Sequence, residues 1–244
     1  MNIVVLGSGG YYPTDDQHTA SYMIPELGVI FDCGSGIFRA SKFIKTSELH
    51  IFISHPHADH IDGLKCVKNL YSSNCNRIVL YGLKETIEAI AILFKKPFSG
   101  QTLIPFELRT IDFNEVIKFP EFEMRTFPVE HVSPCIGFRI DSGGKSVAYI
   151  TDSSSSVDSD YGKHVKKVDF LLHEAYYPHD MEEKAIQGGH STSSMVVQFC
   201  KANEIENVLL IHHHPDGSGK KVFEEVKEHL PFSQNATDYS VYKI

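Results

Sequence analysis

The sequence predicts an α/β protein in four layers, helix, sheet, sheet, helix. Three observations carry that prediction. The N-terminal half is dominated by short strand-like runs such as "NIVVL" and "RIVLYG". The C-terminal half alternates buried strands with amphipathic helices, a pattern that layered α/β folds require. No Pro/Ser linker, low-complexity block or internal repeat interrupts the 244 residues, so residues 1–244 are expected to form a single domain.

Taken in order, residues 2–6, 20–25 and 28–33 read as strands, the last two joined by a tight turn at Glu26-Leu27. "SELHIFIS" and "RIVLYG" (77–82) are two more. "LKETIEAIAILFKK" (83–96) has helical apolar spacing, with lysines in its last turn where they suit the helix dipole. Residues 106–128 alternate well enough for two or three strands. "CIGFRIDSGGKSVAYIT" is a hairpin around Ser142-Gly143-Gly144. The run "SSSS" (153–156) reads as a loop, and "VDFLLHEA" as a buried strand. "STSSMVVQFCKAN" is a helix with a Ser/Thr cap signal. "IENVLLIHHHP" is a buried strand ending in a histidine loop, followed by a helix at about 219–230 and a last strand, "DYSVYKI".

Apolar residues make up 42% of the chain, enough for a sizeable core. No apolar run approaches the length of a membrane span, so no membrane association is expected. "MNIVVLGSGG" has no basic leader region and does not read as a signal peptide. Cys33, Cys66, Cys75, Cys135 and Cys200 are odd in number and never paired as C-x-x-C. They read as reduced thiols of a cytoplasmic protein, the host cytoplasm if the chain is phage-encoded. A net charge of −8 is a poor basis for gripping a polyanion.

Fourteen histidines is a high count, and three of them crowd into "ISHPHADHIDGL" (53–64). Pro56 steers His55 out of the helical region. His55 and His57 then read as alternate residues of an extended segment facing one side. Asp59 and His60 sit side by side where the chain turns into a helix through His60-Ile61-Asp62-Gly63-Leu64. Two imidazoles at one point, with a carboxylate and a third imidazole at a neighbouring point, suit a two-metal site. Nitrogen and carboxylate donors without thiolate favour zinc, with manganese or iron as alternatives.

The cluster His55-x-His57-x-Asp59-His60 resembles the H-x-H-x-D-H signature of the metallo-β-lactamase superfamily, whose fold is the four-layer αββα sandwich. "FPVEHVSP", "YITDSS" and "LLIHHHP" supply further expected parts in order. "HEAYY" and "GGHSTSS" are similar to stretches of its ribonuclease Z-like branch. The resemblance implies one metal held by His55, His57 and His131, a second by Asp59, His60 and His212, and Asp152 bridging both. Among the histidines at 212–214, the family places its ligand three residues before a proline. That selects His212 before Pro215, with His213 or His214 as alternatives that read as solvent-facing or substrate-side residues. Asp32 resembles an aspartate beneath the site, though a turn residue before Gly34 reads equally well. His173 reads as a core histidine satisfied by backbone, and Asp62 as a first-turn helix acid.

In such a site the nucleophile is a water activated by the metals, and Asp59 is placed to orient it as well as to ligate. The resemblance implies that His190, held by Glu174, donates to the departing oxygen. Carboxylate contact at one ring nitrogen favours the imidazolium form. Ser191 or Thr192 is the expected N-cap of the helix that follows.

Ribonuclease Z proper grips precursor tRNA with a long arm between the fourth metal histidine and the bridging aspartate. Here that interval, His131 to Asp152, is fully used by one hairpin. The lysines at 163, 166 and 167 read as a solvated face. The expected activity is therefore a binuclear-metal phosphodiesterase of small phosphodiesters, with cyclic mononucleotides first, as in the arm-less anti-Pycsar enzymes. A ribonuclease Z-type tRNA 3′-processing endonuclease and a non-hydrolytic metal-binding scaffold are the alternatives. "FKKPFSGQTLIPFE" (94–107) reads as a helix-to-strand connection, or else as a pocket-edge loop with aromatic faces for a base. The branch commonly pairs, so a homodimer is expected.

Overall fold

The computed structural model describes residues 1–98 and 104–244, and part of the 94–107 stretch lies outside them. The chain divides into two compact units, each built on its own seven-stranded sheet. Among the described residues no helix is long and apolar enough to cross a membrane.

The first unit comprises residues 1–8, 12–112 and 238–243. β1 (Asn2–Gly7), β2 (Ser21–Ile24) and β3 (Val29–Phe31) run antiparallel, and β4 (Glu48–Phe52), β5 (Arg77–Gly82) and β6 (Glu107–Thr110) then add in parallel. The last strand of the chain, Val241–Lys243, closes the other edge against β1. The turn at Glu26-Leu27 is present, with Gly28 at φ 63°. β3 ends earlier than its sequence pattern predicts, because Asp32 turns left-handed at φ 56°. α1 (Ala58–Ile61) is short and passes into a 3-10 stretch, Asp62–Leu70; α2 spans Lys84–Leu93. A second 3-10 stretch, Ser35–Lys42, carries no sequence signal strong enough to predict it. Val4, Leu6, Ile30, Leu49, Ile51, Val67 and Leu80 belong to this unit's core.

The second unit comprises residues 9–11, 113–237 and 244. β7 (Val116–Lys118), β8 (Glu123–Val129), β9 (Cys135–Ser142) and β10 (Lys145–Ile150) run antiparallel. β11 (Phe170–Glu174), β12 (Val208–Ile211) and β13 (Gln234–Asn235) continue in parallel. The β9–β10 hairpin turns on Gly143 and Gly144 at φ 57° and 74°, a pair of left-handed residues that two-residue hairpin loops demand. Crossovers carry α3 (Gly162–Val165), α4 (Glu182–Gly188), α5 (Ser193–Ala202) and α6 (Gly219–Lys227). Thr192 is the N-cap of α5, accepting from Met195 N at 3.3 Å. Phe127, Ile150, Leu171, Val196, Phe199, Leu210 and Val226 are buried in this unit's core.

Candidate metal centre

In the first unit, His55, His57, Asp59 and His60 occupy the turn that leaves β4. His57 keeps an extended backbone (φ −62°, ψ 151°) and precedes α1. The His55 ring lies 4.3 Å, centroid to centroid, from each of the His57 and His60 rings. His60 Nε2 stands 3.4 Å from Asp59 Oδ2. Beneath them Asp32, fully buried, accepts from Ser54 N at 2.7 Å, from Ser54 Oγ at 2.8 Å and from His60 Nδ1 at 2.7 Å. Ser54 spends its hydroxyl proton on Asp32, so its oxygen accepts from His55 Nδ1 at 3.0 Å. Both histidines therefore carry their proton on Nδ1 and present a lone pair on Nε2, the tautomer a metal ligand needs. Asp32 is a support for these rings and more than a turn residue. Asp62 is a first-turn acid that also accepts from Thr19 Oγ1 at 3.2 Å, and burial lifts its carboxyl to about 6.

The second unit assembles His131, Asp152, Glu174, His190 and His212. His131 Nδ1 donates to the carbonyl of Gly189 at 2.9 Å, which again leaves the lone pair on Nε2, 3.8 Å from Asp152 Oδ2. His212 Nε2 stands 3.2 Å from Asp152 Oδ1. Asp152 thus has one imidazole on each carboxylate oxygen. Donor atoms of Asp152, His190 and His212 lie within 4.8 Å of one another. His190 Nδ1 donates to Glu174 Oε1 at 3.2 Å. Imidazoles and carboxylates with oriented tautomers and no thiolate fit a divalent cation of the zinc type.

The three consecutive histidines separate cleanly. His212 turns to Asp152; His213 is buried, its Nε2 donating to Ala236 O at 3.1 Å; His214 packs on Tyr176 with ring centroids 4.6 Å apart. His213 is thus not solvent-facing, because its ring is buried and held by the carbonyl of Ala236.

Each of the two clusters contains strained backbone. Asp32, Asp152 and His212 are non-glycine residues at φ 56°, 44° and 56°, each at or just beyond the carboxyl end of a strand. Such conformations cost about 1–3 kcal/mol and persist where the surroundings over-determine them. Glycines supply the close approaches: a Cβ on Gly10 would stand 2.4 Å from His212 Cε1, and one on Gly189 2.5 Å from His131 Nδ1. Tyr176 is a site residue that sequence reasoning missed. Its ring stacks on His190 at 4.2 Å and 18°. The only signal was the first of two adjacent tyrosines in "HEAYY", which by itself reads as core.

Comparison with known proteins follows the same lines. A "Ribonuclease Z" of Acaryochloris marina is 24% identical over 312 residues, covering 100% of this chain and 98% of the relative. The metallo-beta-lactamase fold protein YhfI from Bacillus subtilis superimposes with a TM-score of 0.84 at 20% identity, covering 99% of each chain. A "New Diphosphatase from the PhnP Family" gives 0.76 at 23% identity, covering 100% of this chain and 97% of that one. The α/β fold class and the ribonuclease Z-like branch read from the sequence agree with these relatives. The sequence pattern of the beta-lactamase superfamily domain matches residues 28–213, most of the chain, and the protein belongs to that superfamily.

Proposed function

We propose that the protein is a metal-dependent phosphodiesterase of small substrates, with 3′,5′-cyclic mononucleotides as first candidates. Metal-dependent phosphoester hydrolysis goes with the superfamily and with relatives named ribonuclease Z and diphosphatase. The reading takes the two histidine clusters as halves of one binuclear centre, in the assignment the family resemblance implies. His55, His57 and His131 would hold one ion and Asp59, His60 and His212 the other, with Asp152 available to both. Zinc suits the donor set best. Bound cations of this kind supply Lewis acidity toward water and toward phosphoryl oxygens.

The chain's own side chains do the rest. Asp59 orients the attacking water. Glu174 holds Nδ1 of His190, so its second nitrogen protonates the departing oxygen. Tyr176, stacked on that ring, restrains its rotation.

The preference for a small substrate rests on one observation above all. The 20 residues between His131 and Asp152 are taken up by β9, its turn and β10, paired from Lys145↔Ser142 to Tyr149↔Phe138. The alignment with the A. marina relative runs 312 positions against 244 residues, so about 68 of that relative's positions have no counterpart here. Lys166 and Lys167 share the single carboxylate of Glu204, each at 3.1 Å, a small solvated face that keeps about one net positive charge and offers little grip on RNA. The five cysteines are unbridged, which supports cytoplasmic placement. The expected homodimer belongs to the same reading and is checked by sedimentation.

A panel assay on the metal-loaded protein tests the proposal: 3′,5′-cyclic nucleotides, bis-nitrophenyl phosphate, a lactone and a precursor tRNA. Turnover of the phosphodiesters is the expected result. Cleavage of the precursor tRNA alone would shift the assignment to the ribonuclease Z reading, which the named relatives otherwise favour. Metal binding with no turnover of any substrate would favour the scaffold.

A further inference from the structure

Behind Asp152 lies a buried polar chain that the proposed mechanism does not use. Ser153, Ser155 and His173 are wholly buried and Tyr161 nearly so. Ser153 Oγ lies 2.6 Å from the Tyr161 hydroxyl, which lies 2.7 Å from Ser155 Oγ. Ser155 Oγ lies 2.8 Å from His173 Nε2, and His173 Nδ1 lies 2.6 Å from the carbonyl oxygen of Glu174.

One arrangement of protons satisfies these four links, and it leaves the longer 3.5 Å approach of Ser155 Oγ to Ser153 Oγ unused. A carbonyl oxygen only accepts, so His173 donates from Nδ1. Burial lowers the His173 pKa and keeps the ring neutral, so Nε2 accepts from Ser155. With its proton spent, Ser155 accepts from Tyr161, and burial keeps that phenol protonated by pushing it up to about 12. Tyr161 in turn accepts from Ser153. The chain runs one way and ends on the backbone of Glu174.

The same serine loop also grips the Glu174 side chain. Ser153 N and Ser191 N donate to Glu174 Oε1 at 2.9 and 3.1 Å, the oxygen that His190 Nδ1 reaches. Ser191 Oγ donates to the Ser153 carbonyl and accepts from Ser155 N at 3.0 Å. A shift of the loop would therefore move the carboxylate that aims His190, and Ser153 is covalently next to Asp152.

We propose that Tyr161, Ser155 and His173 are positioning residues, a bracket that fixes the Glu174–His190 pair relative to Asp152. The inference rests on the leaving-group role given to that pair. Cooperative buried networks of this kind hold geometry only while every member is satisfied.

The test is a double-mutant cycle in the metal-loaded enzyme with bis-nitrophenyl phosphate and a cyclic nucleotide. Tyr161→Phe keeps the ring and removes the hydroxyl. It should lower kcat about ten-fold, the worth of roughly one buried hydrogen bond, with KM and metal content within about two-fold of wild type. In the His190→Ala background, adding Tyr161→Phe should change the residual rate by less than about two-fold, because the bracket then has nothing to aim. An undiminished ten-fold loss in that background, or wild-type kcat in Tyr161→Phe, would overturn the proposal. Ser155→Ala repeats the cycle should Tyr161→Phe fold poorly.

Nitrogen-15 spectra of the imidazoles give a readout apart from turnover. His173 should show the neutral ring protonated on Nδ1, and Tyr161→Phe should shift the His190 resonances. An unshifted His190 would overturn the bracket even in a protein that hydrolyses none of these substrates, whereas inactivity of the wild type alone would count against the phosphodiesterase reading.

Discussion

His60 donates through Nδ1 to the carboxylate of Asp32 at 2.7 Å, and solvent reaches neither side chain. The contact selects which nitrogen of His60 keeps its lone pair. Asp32→Asn tests it. The amide oxygen can still accept from Ser54 N, but the amide nitrogen then takes the place of the oxygen to which Ser54 Oγ and His60 Nδ1 both donate, and drives the ring to its other tautomer. Metal affinity at the Asp59–His60 end should fall about 10–100-fold, read by competitive chelator titration. Asp32→Ala should in addition destabilise the fold by about 1–3 kcal/mol for each buried donor it leaves without an acceptor, Ser54 N, Ser54 Oγ and His60 Nδ1.

Gly189 meets two demands at once. Its φ of 72° suits a residue without Cβ, and its α-carbon faces His131. Gly189→Ala should displace His131 and cost at least about 100-fold in turnover, with reduced metal content by elemental analysis. Gly143→Ala is the matched control: its φ is 57°, but a Cβ there meets open space. It should cost only about 1 kcal/mol of stability, measured by urea denaturation, and leave turnover unchanged.

His190→Ala separates chemistry from ligation. Its partner is Glu174, and the imidazoles on the two oxygens of Asp152 are His131 and His212. The variant should keep its metal content and lose about 10²–10⁴ in kcat. Wild-type turnover in this variant would end the leaving-group assignment.

Acid should loosen the start of the first unit. Burial alone would raise the Glu26 carboxyl, but hydrogen bonds from Asn2 (N at 3.1 Å, Nδ2 at 2.8 Å) and Lys45 (Nζ at 3.0 Å) outweigh it and hold the carboxyl at about 2. The folded value lies below the ordinary 4.5, so the stabilisation is complete above 4.5 and fades as pH falls toward 2. Urea denaturation from pH 6 to 3 should show wild type losing stability relative to Glu26→Gln, by about 1 kcal/mol after allowance for solvent screening.

Removing metal should lower stability in both units. The His55–His60 turn and the Asp152 cluster collect imidazoles and carboxylates that a cation offsets. At a metal concentration about 1,000 times Kd, binding contributes about 4 kcal/mol. Dialysis against a chelator should therefore lower Tm by several degrees, and zinc should restore it. An unchanged Tm would count against metal occupancy.

Much of this architecture was legible before any coordinates. Pro56 forces an extended His55, alternation puts His57 on the same side, and Gly143-Gly144 marks a hairpin. Each is a rule of backbone sterics acting over two to four residues, so the chain states it locally. Position in a known pattern singled out His131, Asp152 and His212, each of which would look ordinary alone. Other features depended on strand register. Asp32 reads equally well as a turn residue or as a support beneath the site until β3 and β4 pair in parallel and bring Ser54 and His60 over it. The strain at Asp152, the inward turn of His213, the stacking of Tyr176 on His190 and the chain from Ser153 to Glu174 follow the same logic. Hydrogen bonds and ring contacts link groups tens of residues apart, and only the folded sheets decide which of a side chain's possible partners arrives.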